Sequence, residues 1–458
     1  MDISDYPMIK NTVRIKKMTS GCWVSELLND HGISVPPSDA FLLALCNGRN
    51  TVGEIEYIFS KTFDLERETA NSCIAKSLSK LSFCIEQHKA PQAANNRYQP
   101  KTYLYDPQTG NSTNSLERFE SPAEMTLVLT KKCSFRCIYC YNSSGLPIKN
   151  ELSTDQWLNV IKQAKELDIV KCTLTGGEPM THPGFFSILR KLVEKDISTY
   201  ICTNGSLIDD TCIAQFKELS LPLIQISLDT PIEKEHDRLT CSRGSFSHII
   251  HAIRELAYSG IKVYVKAVVL PESSGWIGQL IELCQGLGVS NLILDHYDLS
   301  YIGRGSNRFF LNKQQECEIK TIIESKKTHG SMNVNFLSGP RCWSGEKDIV
   351  TCGAFTQSFV IMPDGNYALC EKISNAPDMI VGNCVRMPLK AMWSSSKIDE
   401  IMELSRHKIE APCEGCQHLA QCRTGCFAAK QFVSDNLYAP DPRCWKVAYK
   451  ENQFITSA

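Results

Sequence analysis

Apolar positions recur along this chain with two different periods, and the order in which the periods alternate predicts its organisation. Residues 13–18 and 22–27 alternate weakly around Thr19-Ser20-Gly21, and 33–35 stops at Pro36-Pro37, which predicts three short strands. Three helices are predicted to follow. Ser38 stands as an N-cap before 39–46, which ends at Asn47-Gly48. Thr51-x-x-Glu54 is a capping box opening 52–62, and 66–81 places Cys73, Ile74, Leu78 and Leu81 on one face. Residues 1–90 therefore read as a small winged-helix-like domain. From 91 to 121 the chain is polar and turn-rich (Ala90-Pro-Gln-Ala-Ala-Asn-Asn96), which predicts a linker over the surface. Between 122 and 330 strand and helix alternate. Apolar runs at 125–129, 170–174, 199–202, 224–228, 263–269 and 292–296 are separated by helical stretches, one opened by a second capping box at Ser153-x-x-Gln156. Six such units predict an α/β fold with a parallel sheet and right-handed crossovers, closing into a partial (β/α)6 barrel. Chemistry in such folds sits on the loops after the strands. From 331 to 458 the sequence is loop-rich and aromatic.

Charge removes some partners. Lys plus Arg number 49 against 50 Asp plus Glu, for a net charge of −1, so there is no global basic field for nucleic acid or a membrane surface. A winged helix could bind DNA, but the acidic and basic residues of 1–90 are nearly balanced, which leaves no electrostatic footprint. Peptide capture by strand addition and a purely structural cap remain for this domain. No apolar run approaches the length of a membrane span, and the polar start Met1-Asp-Ile-Ser-Asp5 is unlike a signal peptide, so a cytoplasmic location is expected. In that compartment 22 cysteines point to metal or redox chemistry before disulfides.

Spacing sorts those cysteines. Cys133, Cys137 and Cys140 form C-x3-C-x2-C, three thiolates where a cubane iron–sulfur cluster has four irons, so one iron is left for another ligand. Gly176-Gly177-Glu178 follows the second barrel strand, and Thr203-Asn204-Gly205 and Ser227-Leu228-Asp229 follow the third and fourth. Short polar groups at successive strand ends line one mouth. A second set, Cys342, Cys352, Cys370, Cys413, Cys416, Cys422, Cys426 and Cys444, carries the spacing Cys352-x12-Gly365-x4-Cys370 and then Cys413-x2-Cys416-x5-Cys422-x3-Cys426. Four-Cys sites serve zinc or iron–sulfur clusters, and ligand type does not separate the two. The other eleven, Cys46, Cys73, Cys172, Cys202 and Cys284 among them, sit in apolar runs and read as small buried hydrophobes.

The first loop, with Tyr139 just before its third Cys, resembles the signature of the radical S-adenosylmethionine (SAM) enzymes. That resemblance implies a [4Fe–4S] cluster on Cys133, Cys137 and Cys140 whose open iron is chelated by SAM. It also implies that Gly176, Gly177 and Glu178 hold the amino end of SAM, and that Tyr139, Asn204, Ser227 and Asp229 complete the site. The C-terminal pattern resembles the SPASM domain. By that resemblance two auxiliary [4Fe–4S] clusters are expected, the nearer on Cys342, Cys352, Cys370 and Cys426 and the farther on Cys413, Cys416, Cys422 and Cys444, for three clusters in all. Residues 1–90, including 45–55, resemble the recognition element that binds leader peptides in pathways to ribosomally made, post-translationally modified peptides (RiPPs).

Together these features imply a radical SAM/SPASM peptide maturase of the thioether-forming sactipeptide or ranthipeptide type, an oxidoreductase whose 5′-deoxyadenosyl radical attacks a precursor peptide made of leader and core. Carbon–carbon cross-linking and epimerisation are the alternatives. An electron-transfer protein could also hold three clusters, but it has no need of Gly176-Gly177-Glu178. The implied partners are the precursor peptide and an electron donor such as flavodoxin or ferredoxin. Glu371, directly after Cys370, matches the acidic residue that serves as base in sulfatase-maturing relatives. One departure concerns SAM: His236-Asp237-Arg238-Leu239-Thr240 puts Thr where relatives carry an Arg facing the SAM carboxylate, which leaves Arg238 and Arg243 as candidates for that contact, while Gly303-Arg304-Gly305, after the sixth strand, is a second family-like feature whose Arg would face the active-site mouth.

Overall fold

A computed structural model describes residues 2–18, 21–26, 31–106, 118–297, 311–326, 332–337, 354–373, 376–404, 410–422, 424–434, 436, 439–441 and 444. Its contacts divide the chain into two units, residues 1–123 with 168–171, and the remainder. In the first unit, β2 (Val13–Met18), β3 (Gly21–Glu26) and β4 (His31–Val35) form an antiparallel sheet in that order, with β4 at its edge. Helices α1 (Pro37–Leu45), α2 (Val52–Phe63) and α3 (Arg67–Lys80) follow. The alternation Val13, Ile15, Cys22, Val24 packs against Phe41, Leu42 and Leu45 of α1, Ile55 and Phe59 of α2, and Ile74 and Leu78 of α3. The capping box at α2 forms in both directions: Thr51 Oγ1 accepts from Glu54 N at 3.2 Å and Glu54 Oε2 accepts from Thr51 N at 2.7 Å.

Four sequence expectations change here. Ser38 does not cap α1, which begins at Pro37 with Pro36 at the N-cap and no side-chain cap. Proline has the right φ for a first turn and lacks the N–H that a cap would satisfy. Cys73 is exposed, because Ala70, Ile74 and Leu78 form the inward row at i, i+4 and i+8, a row that starts on a residue too small to stand out in the apolar pattern. A further antiparallel pair joins β1 (Tyr6–Ile9) to β5 (Ile85–His88), two strands too short and too polar to show a period. Finally, part of the stretch read as linker is core: Tyr103 is buried, Tyr98 and Tyr105 pack beside it, and the Tyr98 hydroxyl bonds the backbone of Val13 and Ile15.

In the second unit the six expected strands are all present, as β6 (Glu124–Val128), β7 (Lys171–Thr175), β8 (Ser198–Thr203), β9 (Leu223–Ser227), β10 (Lys262–Val269) and β11 (Asn291–His296), and they lie side by side in chain order. The registers Ile224↔Ile201, Ile226↔Val265 and Val265↔Leu292 are parallel. Between the strands run α4 (Thr154–Glu166), α5 (Phe185–Glu194), α6 (Asp210–Glu218), α7 (Glu233–Thr240), α8 (Ser245–Tyr258) and α9 (Ile277–Gly286). The box at Ser153 and Gln156 opens α4 as its spacing predicts.

Strand alternation then divides the side chains. On β10, Val263, Val265, Ala267 and Val269 are buried on the face that meets α8, while Lys266 and Val268 point the other way. The sheet continues beyond the six. After α10 (Lys313–Lys326), β12 (Asn333–Leu337) pairs parallel to β11. At the other side β13 (Ser358–Ile361) pairs parallel to β6 and leads antiparallel into β14 (Asn366–Ala368) and β15 (Ile380–Asn383), giving ten strands in one order among the described residues. The second unit is an α/β fold built on a partial barrel of parallel strands. Cys342, Cys352 and Arg304 lie outside the described residues.

Candidate active site

The loops after β6 to β9 converge on one cavity of about 490 Å³, and the inward face of the barrel strands supplies its floor. Thr126, Thr173, Thr175, Gln225, Ser227 and Lys266 face into it, so the polar members of otherwise apolar strands line the interior. Cys133, Cys137 and Cys140 all line this cavity, together with Tyr139, Gly176, Gly177, Asn204, Ser227 and Asp229.

The cysteine loop is held by backbone and by two polar side chains. Gly145 N donates to Lys131 O at 2.8 Å and Cys133 N to Gly145 O at 3.0 Å. Glu151 accepts from Lys131 N and Thr130 Oγ1, each at 2.7 Å, and Asn142 links Lys131 Nζ to the carbonyl of Gly176. The two glycines serve this packing directly. A Cβ on Gly177 would lie 2.4 Å from Lys132 O, and one on Gly176 would lie 2.7 Å from Thr130 O. Their bareness admits the cysteine loop's own backbone, a closer neighbour than the ligand approach expected from sequence.

Glu178 is also placed differently from the expectation. It is fully buried and absent from the cavity lining. Its carboxylate accepts from Thr203 Oγ1 at 2.8 and 2.9 Å, Asn204 N at 2.8 Å and Met180 N at 3.1 Å. Burial raises it to about 7 against the pull of those donors. Glu178 therefore fixes the turn at Thr203 and Asn204, and Asn204 Nδ2 in turn reaches Cys133 Sγ at 3.6 Å and Ser134 Oγ at 3.1 Å.

Asp229 is buried at the end of the fourth barrel strand. It accepts from Val268 N at 2.8 Å and from the hydroxyl of Tyr139, and burial raises it to about 6. Arg238 is paired with Glu235 at 2.8 Å and Glu272 at 3.0 Å, Arg243 is exposed, and neither lines the cavity.

Cys370 and Glu371 enter the same cavity from the C-terminal part of the chain. The Tyr141 hydroxyl donates to Glu371 Oε1 at 2.6 Å, and Lys372 Nζ lies 5.7 Å from the Tyr141 ring centroid. Tyr141 went unnoticed in the sequence, although its place directly after Cys140 fixes it beside the loop. Lys266 is paired with Asp295 at 2.9 Å in the same interior. Here the signal was a lysine amid the valines of the fifth barrel strand.

Further along, α11 (Phe427–Ser434) packs on the short turn Glu371–Ile373, which brings Cys426, at the foot of α11, toward the Cys370 segment. Cys413, Cys416, Cys422 and Cys444 are close enough to act on one another. Burial, reinforced by neighbouring members of the set, raises Cys413 and Cys422 to about 11.

The donor sets suit iron–sulfur clusters. Every described cysteine is a free thiol, and burial raises Cys133 and Cys137 above the ordinary thiol value, so iron binding must displace protons there. Among the described residues no three His, Cys, Asp or Glu side chains converge on a single metal-ion position, and a cubane, whose thiolates each hold a different iron, requires no such convergence.

Comparison with known proteins agrees with this geometry. Residues 127–284 match the model of the radical SAM superfamily, and residues 352–417 match the SPASM iron–sulfur cluster-binding domain. The chain is 24% identical to the PqqA peptide cyclase of Gluconobacter oxydans over 326 residues, covering 70% of this chain and 90% of the relative. It is 26% identical to the mycofactocin maturase MftC of Mycobacterium tuberculosis over 340 residues, covering 72% and 85%. Its fold matches Streptococcus suis SuiB, solved with its precursor peptide SuiA, at a TM-score of 0.70 and 16% identity over 95% of this chain and 98% of that one. The chain thus carries a radical SAM domain over residues 127–284 and a SPASM iron–sulfur cluster-binding domain over residues 352–417.

Proposed function

We propose that this enzyme matures a ribosomally made precursor peptide by joining a substrate Cys sulfur to a carbon of the same peptide. The observation that carries the reading is a single cavity in which Cys133, Cys137 and Cys140 meet the Tyr141–Glu371 pair brought in beside Cys370. Two relatives named as a peptide cyclase and a maturase, and a structural neighbour solved with a precursor peptide, support a peptide substrate.

Cys133, Cys137 and Cys140 would hold the SAM-binding cluster. Cys370 and Cys426, with Cys342 and Cys352, would hold one auxiliary cluster, and Cys413, Cys416, Cys422 and Cys444 the other. When bound, these groups and SAM supply a hydrogen-abstracting 5′-deoxyadenosyl radical and a sink for the electron left when the product bond closes.

The chain's own residues do the rest. Asn204, Ser227, Asp229 and Tyr139 present polar groups to SAM, and Gly176 and Gly177 let the cysteine loop seat closely. Glu178 acts one layer back, by holding Thr203 and Asn204. Glu371 takes the proton released from the substrate thiol, and Tyr141 orients it. Residues 1–90 bind the leader, for which β4, at the edge of its sheet among the described residues, offers backbone for strand addition. The reducing electron comes from a flavodoxin or ferredoxin in the cytoplasm.

Reconstituted anaerobically with iron and sulfide and given SAM, dithionite and the short peptide encoded beside its gene, the enzyme is expected to release 5′-deoxyadenosine. The peptide should lose two hydrogens, and one of its cysteines should no longer react with iodoacetamide. A lighter peptide whose cysteines all still alkylate would establish carbon–carbon cross-linking instead, and an unchanged mass with altered stereochemistry would establish epimerisation.

A further inference from the structure

His236 is only 1% exposed, and neither ring nitrogen has a hydrogen-bond partner. The large majority of buried side-chain polar atoms in native proteins are paired, so an imidazole with both nitrogens unpaired calls for a ligand or water. It stands in the wall of the cavity that holds the three cysteines. Its helix explains how it comes to be there. The last turn of α7 is tied to the cysteine loop by two backbone bonds, Arg136 N to Thr240 O at 3.0 Å and Ile138 N to Leu239 O at 2.9 Å. His236 lies one turn before Thr240 on the same face. The Thr240 hydroxyl donates back to His236 O at 2.9 Å and lies 3.1 Å from Ser245 Oγ, so it is already engaged and the imidazole is the group on that face with hydrogen-bonding capacity left. Phe246 packs against the ring at a centroid distance of 5.9 Å and limits its rotation. Burial lowers the imidazole to about 4, so at neutral pH it is uncharged and carries one N–H donor and one acceptor nitrogen.

We propose that His236 hydrogen-bonds the methionine end of bound SAM and so positions the cofactor against the loop of Cys133, Cys137 and Cys140. The assignment rests on the radical SAM reading of the cavity. It names a polar contact from the wall that carries Thr240, to whose lining neither Arg238 nor Arg243 contributes.

The test is SAM affinity, read without turnover. The reduced, reconstituted enzyme is titrated with SAM and the change in the cluster's electron paramagnetic resonance signal is followed for the wild type, His236→Phe and His236→Gln. Iron content and visible absorption report cluster loading independently. His236→Phe is expected to load its clusters fully and bind SAM about 10-fold more weakly, while His236→Gln, which retains a donor and an acceptor, stays within about threefold of wild type. Wild-type affinity in His236→Phe would overturn the proposal and leave the ring to an ordered water. Loss of the cluster in both variants would overturn it in favour of a structural role for the ring under the loop. A wild-type signal that SAM does not perturb would remove the radical SAM reading and this contact with it.

Discussion

Glu371 takes its role from its neighbours: it follows Cys370, accepts from Tyr141 and shares a cavity with the cysteine loop. A base that acts after hydrogen abstraction is separable from the radical step. Glu371→Gln should form 5′-deoxyadenosine at a near wild-type rate while peptide product falls by about 10² to 10⁴; equal loss of both, measured by chromatography of one reaction, would indicate damage to the cluster region. Gly177 gives a sharper steric case. Gly177→Ala places a methyl against two carbonyls of the cysteine loop and should lose one cubane's worth of iron along with SAM cleavage. Gly278→Ala, where the nearest atom is Ile322 Cγ2 at 3.7 Å, should be neutral or raise Tm slightly by its helix propensity.

Glu178 couples the site to pH. Its carboxyl titrates near 7 in the fold against an ordinary 4.5. The folded state thus holds the proton to higher pH than the open chain, its contribution is complete below about pH 4.5, and stability falls as pH rises through 7, by a total of about 3 kcal/mol. Denaturant midpoints of the cluster-free protein should show this decline, and Glu178→Gln should flatten it.

At the scale of elements, what could be read from the sequence depended on how locally each element is determined. The two capping boxes are settled within four residues, and both formed as their spacing implied. Thr51→Ala should therefore cost about 1 kcal/mol and lower Tm without touching SAM cleavage. The six barrel strands were legible because strands covered by helices on one face read as apolar runs. The pair β1 and β5 was not, since four-residue strands such as Ile85-Glu-Gln-His88 have no period and form by pairing across most of the first unit. Tyr98, Tyr103 and Tyr105 were misread for a related reason: their polar, turn-rich surroundings set the composition, while three rings decide the packing. The edge strand β4 invites its own test in the full-length chain. Amide exchange across His31–Val35 should slow when precursor peptide is added and stay unchanged with a leaderless core peptide.

For the molecule as a whole, the placement of the site was more legible than its details. Three cysteines in one loop and polar triplets at successive strand ends forecast a single mouth, and the parallel order of β6 to β9 gathers them there. The inward faces were hidden, because which alternate residue of a strand meets the cavity depends on its pairing with strands elsewhere in the chain. His236 emerges only from that packing, whereas Tyr141 and Lys266 left a local mark in the sequence. The first three cysteines stand well apart in sequence from the later eight, which makes the central claim directly testable. Cys133, Cys137 and Cys140 are changed together to Ala, the protein is reconstituted anaerobically, and iron and 5′-deoxyadenosine are measured on the same sample. If these three cysteines hold the SAM-cleaving cluster and the other eight hold two auxiliary ones, 5′-deoxyadenosine disappears while about eight irons per chain remain. Continued SAM cleavage by the triple variant would contradict the account.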